Sequence, residues 1–204
     1  MSKRILSLVL FFGIFALFMG CKNDEQSTDT KSFARTFNPG DEIILDGITG
    51  TSIKLIRTQK GFKLAGSDKT VMFDIFGTYC APCKKEAPHL MDYQLKHQDE
   101  FTLIGLIHFE DISDKDIIEK FSKKYNAYYF ISNSKQNANL IAQILRDIEY
   151  KRALEIPFKV VLKDGEYQML SDNLNERGGQ KALYYLGGVT TDVIAKDLAQ
   201  INAK

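Results

Sequence analysis

The chain carries almost no net charge: 27 lysines and arginines against 26 aspartates and glutamates leave +1 at neutral pH. With no basic stripe it lacks the electrostatic footprint of a nucleic-acid binder, and no nucleic-acid partner is expected. Histidine and cysteine are scarce, with three of each. No second C-x-x-C exists, and His89, His97 and His108 have no ligand spacing with Cys80 and Cys83. The four donors of a structural zinc site are therefore not in evidence, and no metal is expected. The longest apolar run, residues 5–18, spans about 14 residues, short of the roughly 20 that cross a bilayer. There is no internal repeat and no sign of a second folded domain; 204 residues suffice for one domain with a sizeable core.

What is present begins with a basic leader, Met1-Ser2-Lys3-Arg4, ahead of that apolar run, and no further charge appears before Lys22. These are the length and flanks of a secretory h-region. The run ends Leu17-Phe18-Met19-Gly20-Cys21. A small residue immediately before a cysteine at this point resembles the lipobox of bacterial lipoproteins, in which the cysteine becomes the new N-terminus and carries acyl chains. The resemblance implies a signal peptide over residues 1–20, lipidation at Cys21, and an extracytoplasmic, periplasmic protein held to the membrane by its lipid. Several acyl chains anchor stably where one binds only marginally. An ordinary signal peptide or an uncleaved anchor, with Cys21 a bystander, is the alternative. Residues 21–40 are mostly polar and read as a tether. The domain over residues 41–204 then keeps two cysteines, in a compartment where thiols do not stay idle.

Within that domain, short alternating bursts over residues 41–66, punctuated by Gly47, Gly50 and Gly61, predict an N-terminal β-hairpin extension. Residues 71–76 are apolar except for Asp74 and predict a central strand buried on both faces. A helix is expected from about Ala81, with Ala87, Leu90, Met91 and Leu95 on its inner face. Residues 103–107 predict a second buried strand. Ile117, Ile118, Phe121 and Tyr125 repeat at helical spacing behind a cap at Ser113. A short strand over 128–131, an amphipathic helix carrying Leu140, Ile141, Ile144, Leu145 and Ile148, and a strand over 158–162 follow. The turn 163–166 leads to a return strand over 167–170. Residues 171–181 read as a loop and 183–186 as a strand. Thr190 or Thr191 then caps a last helix bearing Ile194, Leu198 and Ile201. The fold class is α/β: a central mixed β-sheet flanked by helices.

The chemistry is concentrated in Thr78-Tyr79-Cys80-Ala81-Pro82-Cys83-Lys84, between a buried strand and a helix. A thiolate at a helix N-terminus is stabilised by unpaired backbone N–H groups and by the helix dipole, which lowers its pKa from about 8.5 toward neutrality. Cys80 is the candidate nucleophile. Cys83, one turn further in, is placed to attack a mixed disulfide and release the reduced substrate. Pro82 falls in the first turn, where its missing N–H costs nothing. Half of a zinc site and a purely structural disulfide are the other readings, though an i,i+3 bridge closes too small a loop to stabilise much.

At these residues the chain resembles the thioredoxin superfamily over most of 71–201. Phe73-Asp74-Ile75-Phe76-Gly77-Thr78-Tyr79-Cys80-Ala81-Pro82-Cys83-Lys84 looks like the strand and motif of that family, with Tyr79 where a tryptophan is usual. Pro88 matches the proline of its active-site helix. Ile156-Pro157-Phe158 and the residues that follow look like its cis-proline loop and hairpin. Cys83-Lys84-Lys85-Glu86-Ala87-Pro88 is similar to the membrane-tethered extracytoplasmic branch, the TlpA/ResA-like thiol–disulfide reductases that serve cytochrome c maturation and related tasks. The chain departs from that branch at Asp74, where an amide is frequent, and by the apparent insertion over 171–181.

The likeness implies a lipid-anchored thiol–disulfide oxidoreductase with a redox-active Cys80–Cys83 pair and no cofactor. Asp74, on a buried strand six residues before Cys80, should have a pKa raised by desolvation and could take the proton from Cys83. Glu86 would tune the thiols, or else be a solvated helix residue. Pro157, if cis, would leave the backbone of Ile156 to pair with an extended substrate strand, with Tyr79 flanking the site. Pro82 supplies no charge to stabilise the Cys80 thiolate, so by its likeness to x-Pro motifs the pair should lean reducing. The partners implied are exported protein substrates, apocytochrome c among the candidates, and a membrane electron-transfer partner; a monomer is expected. Two other functions stay open: a disulfide oxidant or isomerase of the same fold, and a non-catalytic anchored binding module.

Overall fold

The computed structural model describes residues 35–203; the signal peptide expected over 1–20, the lipidation expected at Cys21 and most of the tether expected over 21–40 lie outside the described residues. Strands β1 (Glu42–Asp46), β2 (Ser52–Arg57) and β3 (Phe62–Leu64) form a three-stranded antiparallel sheet in sequence order. Their alternation buries Ile43, Leu45, Leu55 and Phe62 on one side, as a half-buried strand requires. The hairpin extension expected over 41–66 is this sheet.

The second sheet holds β4 (Thr70–Phe76), β5 (Phe101–Ile107), β6 (Phe130–Ser132), β7 (Phe158–Lys163), β8 (Glu166–Tyr167) and β9 (Tyr185–Leu186), in the order β6-β5-β4-β7-β8 with β9 also paired to β7. β4 runs parallel to β5 and antiparallel to β7. Every residue of β4 is buried, as its near-continuous apolar run predicts. Helices α1 (Ala81–Lys96), α2 (Asp114–Ile117), α3 (Asn137–Asp147) and α4 (Thr191–Asn202) cover it, and α2 continues as a π-helical turn over Ile118–Ser122. Among the described residues no helix is long and apolar enough to cross a membrane.

The sheet separates two cores. Met72, Phe76, Leu103 and Val161 pack with α1, α2 and α4. Val71, Phe73, Ile75 and Ile104 pack with α3 and the small sheet. Because side chains alternate along a strand, Asp74 faces the α1 side with Met72 and Phe76. A clamp ties the small sheet to the opposite core: Arg57 on β2 forms a two-point ion pair with Asp147 at the end of α3, with Nη2 donating to Oδ1 at 2.9 Å. Gln143 Nε2 and Tyr167 Oη donate to the same carboxylate at 2.8 and 3.0 Å.

Three local expectations change. Leu95 is 54% exposed, whereas Glu86 and Tyr93 are buried; the buried arc of α1 is centred on Cys83 and Leu90, and Leu95 falls beyond its edge. The return strand ends at Tyr167, and Leu170 instead bridges to Ala182 across the 171–181 loop. Thr190 occupies the N-cap position of α4, but its hydroxyl makes no capping hydrogen bond. Ser113 does cap α2 as expected, accepting from the Asp116 N–H at 3.1 Å.

Candidate active site

β4 ends at Phe76, and four residues later the chain enters α1 through Cys80, its N-cap. Cys80 and Cys83 are joined as a disulfide, with Cα atoms 5.3 Å apart. The Cys83 N–H donates to Cys80 Sγ at 3.3 Å, so a first-turn N–H of the helix is aimed at the sulfur that would carry charge when reduced. Cys80 is 7% exposed and Cys83 2%. This asymmetry fits an outer attacking sulfur and an inner resolving one. Pro82 lies in the first turn and Pro88 within the helix.

Across from the pair, the Ile156–Pro157 bond is cis, and the Ile156 carbonyl oxygen lies 3.8 Å from Cys80 Sγ. As a disulfide sulfur Cys80 has no proton to donate, so this is a contact and not a hydrogen bond. Among the described residues no backbone group pairs with the N–H or carbonyl of Ile156. Tyr79 is exposed beside the pair. Its ring folds back over Gly77, where a Cβ would come within 2.8 Å of it.

Beneath α1 lies a charge cluster that the sequence announced only in part. Asp74, Lys159 and Glu86 are 2%, 0% and 7% exposed. Lys159 sits opposite Asp74 in the antiparallel β4–β7 register. Its Nζ stands 3.1 Å from Asp74 Oδ1 and hydrogen-bonds Glu86 Oε1. The Asp74 contact is an ion pair without hydrogen-bond geometry, leaving that oxygen with no hydrogen-bond donor among the described residues. Glu86 Oε2 accepts from the Val189 N–H at 3.2 Å. Glu86 lies one turn beyond Cys83 on the same buried face of α1.

One ammonium cannot neutralise two buried carboxylates, so burial raises both acids. Desolvation, resisted by Lys159, pushes Glu86 up to about 7 and moves Asp74 upward as well. Lys159 is held above its ordinary value by the two carboxylates, which outweigh its own desolvation. Both carboxyls of the cluster thus hold their protons more tightly than exposed acids do. The buried Tyr129 hydroxyl, without a hydrogen-bond partner among the described residues, is driven well up by burial and by the negative charge of Asp74 and Glu86.

Lys159, Tyr129, Gly105 and Glu110 were not singled out from the sequence. Lys159 had a signal: a lone charge inside Phe158-Lys159-Val160-Val161-Leu162 must find a buried partner. Gly105 had one too, since a glycine inside a buried strand often marks a close approach. It pairs with Asp74, and a Cβ there would meet the Phe76 ring at 2.8 Å and the Tyr129 ring at 3.1 Å. Glu110 had none. It follows Phe109, which holds a left-handed backbone (φ 59°). Its carboxylate accepts from the Thr78 N–H at 2.7 Å and from the Thr78 hydroxyl, bracing the loop that delivers Cys80. His89, left without a role, is exposed and lines a cleft of about 490 Å³ with Pro82, Lys85, Glu86, Gly188 and Val189. Among the described residues no group of three or more His, Cys, Asp or Glu is gathered to hold a metal ion.

A cysteine pair opening the helix after a central strand, set against a cis-proline loop on a mixed sheet, defines the thioredoxin fold. Solved structures share it. The thioredoxin domain of a thiol-disulfide oxidoreductase from Bacteroides vulgatus superposes with a TM-score of 0.50 at 15% identity, covering 82% of this chain and 97% of that one. A thiol:disulfide interchange protein of Chlorobium tepidum gives 0.51 at 16%, covering 82% and 97%. A DsbF homologue from Corynebacterium diphtheriae gives 0.52 at 19%, covering 81% and 91%. At these identities the likeness is one of fold. No family model matches the sequence, and no curated protein matches it.

Proposed function

We propose that the chain is an exported, lipid-anchored thiol–disulfide oxidoreductase that reduces disulfides in other exported proteins, with Cys80 and Cys83 as its dithiol. The observation that carries this reading is the disulfide at the start of α1, its outer sulfur 3.8 Å from the Ile156 carbonyl. The backbone of Ile156, whose N–H and carbonyl have no backbone partner among the described residues, is open to an extended substrate segment, with Tyr79 alongside. The neighbours of like fold, a thiol-disulfide oxidoreductase domain and a thiol:disulfide interchange protein, support the same reading.

In the working cycle the Cys80 thiolate attacks one sulfur of a substrate disulfide, forming a mixed disulfide and releasing the first substrate thiolate. Cys83 then loses its proton to the Asp74–Lys159–Glu86 cluster and attacks Cys80 Sγ. This closes the Cys80–Cys83 bond and expels the second substrate sulfur as a thiolate, which is protonated on release. Two electrons pass from the dithiol to the substrate. A membrane electron-transfer partner carrying a dithiol returns them. A carboxyl poised near neutrality suits the transfer, because a general base works best with a pKa close to the working pH. Apocytochrome c is one candidate substrate, and Cys21 the site of acylation.

The reduction potential of the pair, from equilibration against glutathione or dithiothreitol, tests the reading. A value near thioredoxin's, about −270 mV, supports a reductase. One near about −120 mV would make the protein an oxidant, and a pair that fails to exchange would leave only a binding module.

A further inference from the structure

The loop over residues 171–181 is built as a unit. It is closed by the Leu170–Ala182 bridge. The Asp172 carboxylate organises its interior, accepting from the N–H groups of Arg177 and Gly179 at 2.7 and 3.1 Å. The Arg177 guanidinium returns to the Ser171 carbonyl at 3.2 Å. Its foot is fixed to α4, where the buried Asp197 accepts from Ser171 N–H and hydroxyl, both at 2.7 Å, and from Tyr185 Oη at 2.6 Å. Such compact loops with close ends are frequently functional.

One side chain leaves this unit and reaches toward the active site. Asn173 Nδ2 donates to the carbonyls of Leu186 and Gly188, at 2.7 and 3.1 Å. The residues alternating with those two do the complementary work. The Gly187 N–H donates to the Pro157 carbonyl at 2.9 Å, and the Val189 N–H to Glu86 Oε2 at 3.2 Å. Leu174 packs under Gly187, whose left-handed backbone (φ 68°) presents no side chain and whose Cβ would stand 3.2 Å from Leu174 Cδ1. Residues 186–189 are therefore gripped outside by the loop and touch both halves of the site inside.

We infer that Asn173 is a positioning residue of the active site: through residues 186–189 it holds the Val189 N–H on the Glu86 carboxylate and the Gly187 N–H on the cis-proline loop. The consequence for proton transfer rests on the thiol–disulfide reading above; the link between Asn173 and Glu86 does not. An N–H bonded to a carboxylate favours its charged form, so releasing Val189 makes Glu86 harder to ionise. The other groups facing Glu86 stay in place: Lys159 from β7, Asp74 from β4, Tyr129 ahead of β6, and Lys85 and His89 along α1 at the cleft. Of the two acids of α4, Asp192 lies in its first turn and Asp197 is spent on Ser171 and Tyr185.

The test compares the full-length protein with Asn173→Ala, the near-isosteric and uncharged Asn173→Leu, which deletes both donors while keeping the size, and Lys181→Ala, a loop change whose partner is Gln200 on α4. Carbon-13 NMR of the Glu86 carboxyl reads its titration directly, and the pH–rate profile of disulfide exchange reads its use. Both Asn173 variants are expected to titrate Glu86 at higher pH by roughly one to two pH units, the worth of one hydrogen bond to a charged group. The exchange profile should move in the same direction, with Lys181→Ala unchanged. A Glu86 midpoint and profile unmoved in Asn173→Leu, with thermal stability alone reduced, would overturn the inference. A wild-type protein that did not exchange would sink the functional reading instead, while the Glu86 titration would still decide the role of Asn173.

Discussion

Glu86 makes the stability of the protein depend on pH in a definite direction. Its pKa rises from 4.5 in the unfolded chain to about 7 in the folded one, so the native state binds the proton more tightly. The associated stability is fully present below pH 4.5 and is lost as pH climbs through about 7. Asp74 is displaced the same way. His108, whose pKa burial lowers, acts oppositely, since its contribution is lost as pH falls. Comparing Glu86→Gln with the wild type isolates the first effect. Urea denaturation at pH 5 and pH 8 should show the wild type losing on the order of 3 kcal/mol more than the variant over that interval. Equal losses in the two proteins would mean that Glu86 ionises normally in the fold. The same carboxylate group helps accept the Cys83 proton in the proposed cycle, so the variant should also slow the step in which Cys83 attacks.

Among the elements, the small antiparallel sheet and α3 share a hydrophobic core and are joined by a buried ionic clamp. The Arg57 and Asp147 side chains are 9% and 10% exposed. Gln143, Tyr167 and the Gly61 carbonyl add hydrogen bonds to the pair, while Arg57 Nε has no partner among the described residues. Removing one partner of a buried ion pair strands the other, which costs far more than an exposed bridge is worth. Asp147→Ala is therefore expected to destabilise the protein by about 3–5 kcal/mol in chemical denaturation. The exposed pair Lys54–Glu42, cut by Glu42→Ala, should change it by less than about 1 kcal/mol. Similar losses in both would show that the clamp is not a coupling point. The clamp lies on the opposite core from the cysteines, so the reduction potential of a folded Asp147→Ala protein should be unchanged.

The molecule as a whole pairs a folded redox domain with an N-terminal segment read from the sequence alone. If Cys21 carries the lipid, Cys21→Ala in the full chain expressed in a bacterial host should move the protein from the membrane to the soluble fraction and abolish incorporation of labelled fatty acid. Disulfide exchange by the purified variant should be undiminished. Membrane retention with no label would favour an uncleaved anchor. Loss of exchange would mean that Cys21 belongs to the redox chemistry.

Much of this molecule was legible in one dimension because the signals were local. A strand apolar on both faces, a C-x-x-C opening a helix with proline at its second position, and a proline immediately ahead of an apolar strand each occupy a few consecutive residues. Helical and strand periodicities located the principal elements for the same reason. The charge cluster was half legible: Asp74 and Glu86 stood near the cysteines in sequence, but Lys159 arrives from 73 residues further along through an antiparallel pairing that no local pattern encodes. Leu95 was misplaced because the width of a buried arc is set by what packs against the helix. Asn173 and Glu110 gave no signal, since a polar residue in a loop looks solvated until the fold shows which backbone groups it meets. The sequence by itself determined the chemistry available, a dithiol at a helix start with acids nearby. Tertiary structure alone decided how many charges share one buried volume, and hence where the proton resides, because desolvation and charge coupling depend on distances that only folding creates.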